Sequence, residues 1–197
     1  MIPTGTGPDG QLRCAWCLST ERYTHYHDHE WGFPVADDRR LFEKLSLEAF
    51  QAGLSWYTIL KKRENFRAAF AYFDFHQVAQ FGAADVQRLL QDAGIVRHRG
   101  KIEAVIHNAS RALEMVAQEG SLAAFLWRFA PTQDSDGLLV QAQTLESKAL
   151  SKALKQRGWK FVGPTTMYAF MQSMGLLNDH ALQCVVRARV QQVVPMT

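Results

Sequence analysis

The sequence predicts an all-α fold, on three observations. Apolar residues recur at three- and four-residue steps along most of the chain, the pattern of helices with one buried face. Period-2 alternation rich in β-branched residues is nearly absent until VQQVVP at 190–195. The composition, 47% hydrophobic and 21% charged, is that of a globular chain and excludes the disordered and membrane-spanning classes.

The helices follow in order. Over 38–52, Leu41, Phe42, Leu45, Ala49 and Ala52 make one apolar face. Over 84–93, Val86, Leu89, Leu90 and Ala93 line another. Asp85 sits in its opening turn, where a carboxylate suits the helix macrodipole, and Gly94 is expected to stop it as a C′ glycine. A longer helix runs over about 98–118, with Ile102, Val105, Ile106, Ala109, Leu113 and Val116 inward. Leu122, Phe125, Leu126 and Phe129 mark the next, ended by Pro131, and the polar, turn-rich stretch 131–146 reads as a surface loop. Ala149, Leu150, Ala153 and Leu154 mark a helix closed by Gly158, and 164–176 supplies one more with Met167, Phe170, Met171 and Met174 inward.

Lys and Arg number 22 against 19 Asp and Glu, a formal charge of +3. That permits a polyanionic partner without requiring one. No apolar run approaches the roughly 18–20 residues of a membrane-spanning helix, so no membrane is expected. The opening MIPTGTGPDGQLR lacks the apolar core of a signal peptide, which points to the cytoplasm. Its Gly, Pro and Thr content reads as a disordered tail over residues 1–11. Three cysteines in a reducing compartment point to metal or plain packing, not disulfides.

His180 and Cys184 are spaced i, i+4, which on a helix sets both side chains on one face, ready to chelate one ion. Thiolate with imidazole suits zinc. The partners that would complete a tetrahedral site lie near the N-terminus: Cys14, Cys17, His25, His27 and His29. Cys14 and Cys17 form a CxxC that would give a Cys3His site; Cys14 with His27 is the alternative, and spacing alone does not choose. Four protein ligands leave no position for water, so such a site is structural and ties the two chain ends together. Asp28 and Glu30 beside His27 are either partners that orient the imidazole or solvated acids.

The stretch LLQDAGIVRHRGKI at 89–102 reads as helix, tight glycine turn, helix, with Arg97, His98, Arg99 and Lys101 clustered. Such a hairpin can aim backbone N–H groups at a phosphate, with Arg97, Arg99 and Lys101 adding charge but no sequence readout. The plainer alternative is a helix end followed by a solvated basic face.

Longer motifs decide more. RCAW (13–16), YHDHEWGFP (26–34), LFEKLSLEAFQAGLSWYTILKKRENFR (41–67), LLQDAGIVRHRGKIEAVIHNA (89–109) and SKALKQRGWKFVGPTTMYAFMQSMGLLNDH (151–180) cover most of residues 13–184. In these the chain resembles the 3-methyladenine DNA glycosylase I family of bacteria. The resemblance implies a helix-hairpin-helix DNA glycosylase fold in a single domain over 12–186 with two helical lobes. It implies that 89–102 is the hairpin, with Gly94 and Ile95 in its turn, and that Cys14, His27, His180 and Cys184 hold one structural Zn2+. Cys17 is not a family ligand position. The wider superfamily's second hairpin glycine is Val96 here, and RARVQQVVPMT (187–197) matches nothing and is expected to be a tail.

The resemblance also implies the chemistry: removal of 3-methyladenine from alkylated double-stranded DNA by a monomeric base-excision-repair enzyme. N3-alkylation makes adenine a cation, and its pocket wants an electron-rich flat surface and one anion. Glu48 lies among apolar neighbours on a predicted helix, and Trp56, Tyr26, Tyr23 and Trp31 are the aromatic candidates. By resemblance Glu48 hydrogen-bonds the flipped base while Trp56 and Tyr26 stack on it. Many superfamily relatives use an Asp after the hairpin; no Asp lies between 93 and 133, where the acids are Glu103, Glu114 and Glu119. No hairpin lysine matches a lyase nucleophile, so simple hydrolysis without strand cleavage is expected.

Overall fold

The computed structural model describes residues 2–132 and 141–191, with only the backbone of Gln191. Its regular structure comprises β1 (Thr4–Thr6), β2 (Leu12–Cys14), α1 (Glu21–His29), α2 (Asp38–Gln51), α3 (Trp56–Ala69), α4 (Phe75–Val78), α5 (Ala83–Gln91), α6 (Arg99–Glu119), α7 (Leu122–Leu126), α8 (Leu145–Gln156), α9 (Pro164–Ser173) and α10 (Val185–Gln191), with short 3-10 turns between some of them.

Side-chain caps set several boundaries, each satisfying an N–H that the helix start leaves without a partner. Asp37 accepts from Arg40 N (2.8 Å) at the start of α2, Ser55 from Thr58 N (3.2 Å) at α3, and Thr20 from Tyr23 N (3.2 Å) at α1. Pro164 occupies the first turn of α9, where a missing N–H costs nothing. The main core draws on α2 to α9, with Phe42, Phe50, Phe66, Phe70 and Phe170 fully buried. A second, smaller cluster of Cys14, Ala181, Cys184, Val186 and Val190 lies where β2 meets α10.

Four differences from the sequence expectations have physical reasons. Residues 2–11 of the expected tail over 1–11 are not loose: β1 pairs antiparallel with β2, Thr4 opposite Cys14 and Thr6 opposite Leu12, closed by a turn with Gly10 at φ 77°. Its charged anchor is Asp9, which accepts from Arg13 at 2.7 and 2.8 Å. The expected tail over 187–197 begins instead as α10, whose Val186 and Val190 pack into the smaller cluster; residues 192–197 lie outside those described, as do 133–140 of the expected loop. Gly94 does not cap α5, which ends three residues earlier, and its φ is not positive. The space at Gly94 is tight, since a Cβ there would lie 2.9 Å from Asp92 Oδ1 and 3.1 Å from the Asn65 side chain. His180 and Cys184 do not share a helix; they sit in the turn before α10, closed by Cys184 N donating to Ala181 O at 2.9 Å.

The chain folds back on this turn through glycines. Gly32 is in the left-handed region (φ 85°), and a Cβ there would meet the His180 ring at 2.5 Å. Gly175 (φ 73°) meets the backbone of residues 32–34 as closely. No side chain other than hydrogen fits at either position, and the loop after α1 is thereby pressed against the end of α9.

Candidate functional site

Helix α1 has almost no apolar face; its buried residues are Tyr26, His27 and Asp28. Tyr23 and Tyr26, three residues apart, face one way, and His27 faces another. On the tyrosine side lies a pocket of about 330 Å³, the size class of small-ligand sites. All five pocket residues expected from the sequence line it: Glu48, Tyr26, Trp56, Tyr23 and Trp31. The rings form a continuous wall. Tyr26 and Trp56 have centroids 5.6 Å apart, Tyr23 and Tyr26 6.5 Å, and Trp16 joins Tyr23 (4.9 Å) to Trp31 (5.1 Å).

Glu48 is 4% exposed and sits one helical turn from Lys44, whose Nζ lies 2.9 Å from its Oε1. Lys44 also donates to Tyr26 Oη at 2.9 Å and rests 3.1 Å from the centroid of the Trp56 ring. Burial pulls the Lys44 amine down to about 8. Burial and the charge of Glu48 push the Tyr23 phenol up to about 12 and Tyr26 well above its ordinary value, so both rings stay neutral donors. Opposite them, Asp179 accepts from the Tyr168 hydroxyl and from Gln172 Nε2 (2.8 Å), both side chains of α9. Among the described residues the charged groups lining the pocket are therefore Lys44, Glu48 and Asp179.

Lys44, Asp179, Tyr168, Gln172 and Trp16 were not singled out from sequence. Lys44 had a legible signal, its i, i+4 spacing to Glu48. Asp179 and the α9 pair had none, because the turn that brings them to α2 is set by tertiary packing.

On the other side of α1, Cys14, His27 and Cys184 bring their ligating atoms within 4.8 Å of one another, all buried. His180 is not within that mutually close set, though its ring centroid is 5.0 Å from that of His27. Hydrogen bonds fix both imidazoles. His27 Nδ1 lies 2.7 Å from Asp28 Oδ1, so it donates there and turns Nε2 toward Cys184 Sγ at 3.5 Å. Asp28 is held by Arg13 Nε at 3.1 and 3.0 Å, which settles it as a partner of the imidazole. Asn178 donates to Arg187 O (3.1 Å) through Nδ2, so its Oδ1 must accept from His180 Nδ1 (3.0 Å). His180 Nε2 is left with its lone pair, buried and without a hydrogen-bond partner among the described residues. Contact with Cys14, then His27, holds the Cys184 thiol well below its ordinary value, and the Cys14 thiol is pushed up correspondingly. Cys17 is buried but outside the set. Glu30 belongs elsewhere, bound by Arg63 at 2.5 and 3.0 Å.

The basic hairpin divides. The turn 92–98 between α5 and α6 leaves Arg97 exposed, as is Arg99 at the start of α6, whereas Ile95 is 3% exposed and joins the core. Lys62 Nζ donates to Ala93 O (3.0 Å) and Gly94 O (3.1 Å), tying the turn to α3. Lys101 does not face outward as expected. It is buried and donates to Phe50 O (3.0 Å) and Ala52 O (2.6 Å), capping the C-terminus of α2. Glu103, Glu114 and Glu119 are each engaged by an arginine: Arg99 (3.4 Å), Arg111 (2.5 Å), and Arg128 with Arg157 (2.5 and 2.6 Å).

A mainly helical frame carrying an aromatic pocket with a buried carboxylate defines a binder of flat, electron-poor rings. The particular family follows from comparison with known proteins: residues 16–188 match the methyladenine glycosylase family model, and the chain belongs to that family. It is 51% identical over 180 residues to DNA-3-methyladenine glycosylase 1 of Escherichia coli (strain K12), covering 87% of this chain and 95% of the relative. A crystal structure of 3-methyladenine DNA glycosylase I superposes with a TM-score of 0.83 at 50% identity, over 88% of this chain and 98% of that one. The Staphylococcus aureus 3-methyladenine DNA glycosylase I, solved for its recognition of 3-methyladenine, gives 0.83 at 39% identity over 88% and 95%.

Proposed function

We infer that the protein is a DNA-repair hydrolase that cleaves the N-glycosidic bond of 3-methyladenine in alkylated double-stranded DNA, releasing the free base and leaving an abasic site. The observation that carries this reading is the pocket: a buried carboxylate, Glu48, among the rings of Tyr26 and Trp56, in a chain of the methyladenine glycosylase family.

The chemistry follows from the lesion. A cation over an aromatic face gains about 0.5–2 kcal/mol, and an ionised acceptor makes a hydrogen bond roughly twice as strong as a neutral one. Unmodified adenine is neutral and forfeits both. The base must first leave the stack, which costs less at a lesion. Water then bonds to C1′, the C1′–N9 bond breaks with its electron pair going to the base, and the cationic base departs neutral while the water gives up a proton. With the leaving group already activated, Glu48 recognises the base, Tyr26 and Trp56 stack on it, Tyr23 and Trp31 complete the wall, and no general acid is required. Lys101, the lysine of the 89–102 segment, is engaged with two carbonyls, which supports hydrolysis without strand cleavage.

The protein works as a monomer that meets the duplex through the turn at Gly94 and Ile95, with exposed Arg97 and Arg99 to neutralise phosphates, Arg99 turning from its exposed pairing with Glu103. One Zn2+ joins Cys14, His27, His180 and Cys184. The chemistry of the donors supports it: Cys14, His27 and Cys184 have their ligating atoms within 4.8 Å of one another, and His180, outside that set, keeps a buried Nε2 without a hydrogen-bond partner among the described residues while both Nδ1–H groups are committed, one to a carboxylate and one to an amide oxygen. With four protein ligands the ion supplies a tie between β2, α1 and the turn before α10. The test of function is chromatographic identification of bases released from methylated duplex DNA. Free 3-methyladenine without strand breaks is the expected product, and binding without any released base would overturn the reading.

A further inference from the structure

The pocket already contains a cation. Lys44 Nζ is 2.9 Å from Glu48 Oε1, donates to Tyr26 Oη at 2.9 Å, and lies 3.1 Å from the Trp56 centroid and 5.3 Å from that of Tyr26. A carboxylate, an aromatic face and a phenol are the groups a flat cationic base would use. A carboxylate closed on its own lysine attracts a second cation less than a bare one does, and like charges a few ångströms apart in a buried site repel. We propose that Lys44 is a specificity-determining residue of this pocket, its ammonium competing with a cationic base for Glu48 and Trp56, so that the lysine must give up its charge or its place before the base is held.

This inference rests on the reading of the pocket as the base site. The ionisable groups facing Lys44 single out Glu48 as its counter-ion. From α1 come Tyr26, held protonated by burial, and just beyond it Glu30; from α3 come Arg63 and Arg67. Glu30 closes on Arg63 at 2.5 Å, and Glu43 of α2 on Arg67 at 2.8 Å, so these four pair off, while Arg40 of α2, which lines the same cavity, is exposed to solvent. Across the pocket Asp179 Oδ2 accepts from Tyr168 and Gln172, and not from Lys44. The state of Lys44 thus decides whether Glu48 faces the pocket paired or unpaired. Burial places that change near pH 8.

The test compares wild type, Lys44→Met and Lys44→Arg. It measures kcat/KM for 3-methyladenine release from methylated duplex DNA between about pH 6.5 and 9, and binding of the 3,9-dimethyladeninium cation and of neutral 9-methyladenine. Wild-type kcat/KM is expected to rise on the order of tenfold through about pH 8. Lys44→Met lacks that step and is the faster enzyme at the low end, and Lys44→Arg, which cannot lose its charge, is slower throughout. Binding of the cation, and not of the neutral base, follows the same order. Identical pH profiles for wild type and Lys44→Met, or weaker cation binding in Lys44→Met at every pH, would overturn the proposal. Should Lys44→Met fail to fold, the pH dependence of wild-type cation binding against the flat neutral control decides it. If wild type itself releases no base or binds neither probe, it is the base-site reading that fails.

Discussion

Helix α1 feeds two buried polar clusters, and they are built to opposite ends. Tyr23 and Tyr26 wall a pocket of about 330 Å³, large enough for a purine, in which Lys44 and Glu48 pair and Asp179 is held through Oδ2. His27, the next residue, turns into a set of ligand atoms within 4.8 Å of one another, room for an ion and nothing larger, beside an imidazole nitrogen without a partner. In the pocket Lys44 closes on Glu48, while Trp56 Nε1 and Asp179 Oδ1 are buried without a hydrogen-bond partner among the described residues, a donor and an acceptor left for a polar guest. In the closed cluster the atoms left to a guest are thiols and one imidazole nitrogen, soft donors that suit an ion and contribute stability once it is bound. Recognition and stability are thus separated by one residue of sequence, with Trp16 and Trp31 packed between them.

The separation can be broken experimentally. The largest effect is expected at the closed cluster: Cys184→Ala should cost at least about 3 kcal/mol of stability, since metal binding there is folding free energy. Calorimetry with metal analysis reads this, and an undiminished melting temperature would show that no ion ties the chain ends. At the pocket, Glu48→Gln should lower kcat/KM on the order of 10²-fold with far less effect on melting, because Lys44 can shed its proton when its counter-ion goes. The hairpin sharpens the contrast on a smaller scale. Lys101→Met removes two bonds from a charged donor and should destabilise by about 1.5–3 kcal/mol while leaving the salt dependence of DNA binding alone. Arg97→Ala should leave melting unchanged and reduce the slope of log affinity against log salt by about 1, read in binding titrations.

Legibility in the sequence follows the same division. Helices with one apolar stripe, α2, α5, α6, α8 and α9, are written in the spacing of their buried residues, and their observed bounds fall within a few residues of expectation. Helix α1 was illegible because its buried side is Tyr26, His27 and Asp28, which serve the two clusters and not the apolar core. The N-terminal ladder was missed because strands of three residues carry no period, and its order comes from Asp9 and Arg13, a pair visible only once Asp28 is in place. The residues of the pocket were identified through family motifs; their spacing alone did not join residues 23–31 to 48–56. Lys101 misled because a basic side chain after a glycine turn looks solvent-directed, and nothing local shows that the open end of α2 lies against it.

The claim that the pocket selects by charge is tested most directly by identifying the bases that wild type and Glu48→Gln release from methylated duplex DNA, with unmethylated DNA alongside. The account predicts 3-methyladenine from wild type, roughly 10²-fold slower release from the variant, and adenine from neither. Release of unmodified adenine at a comparable rate, or an unimpaired Glu48→Gln enzyme, would contradict it.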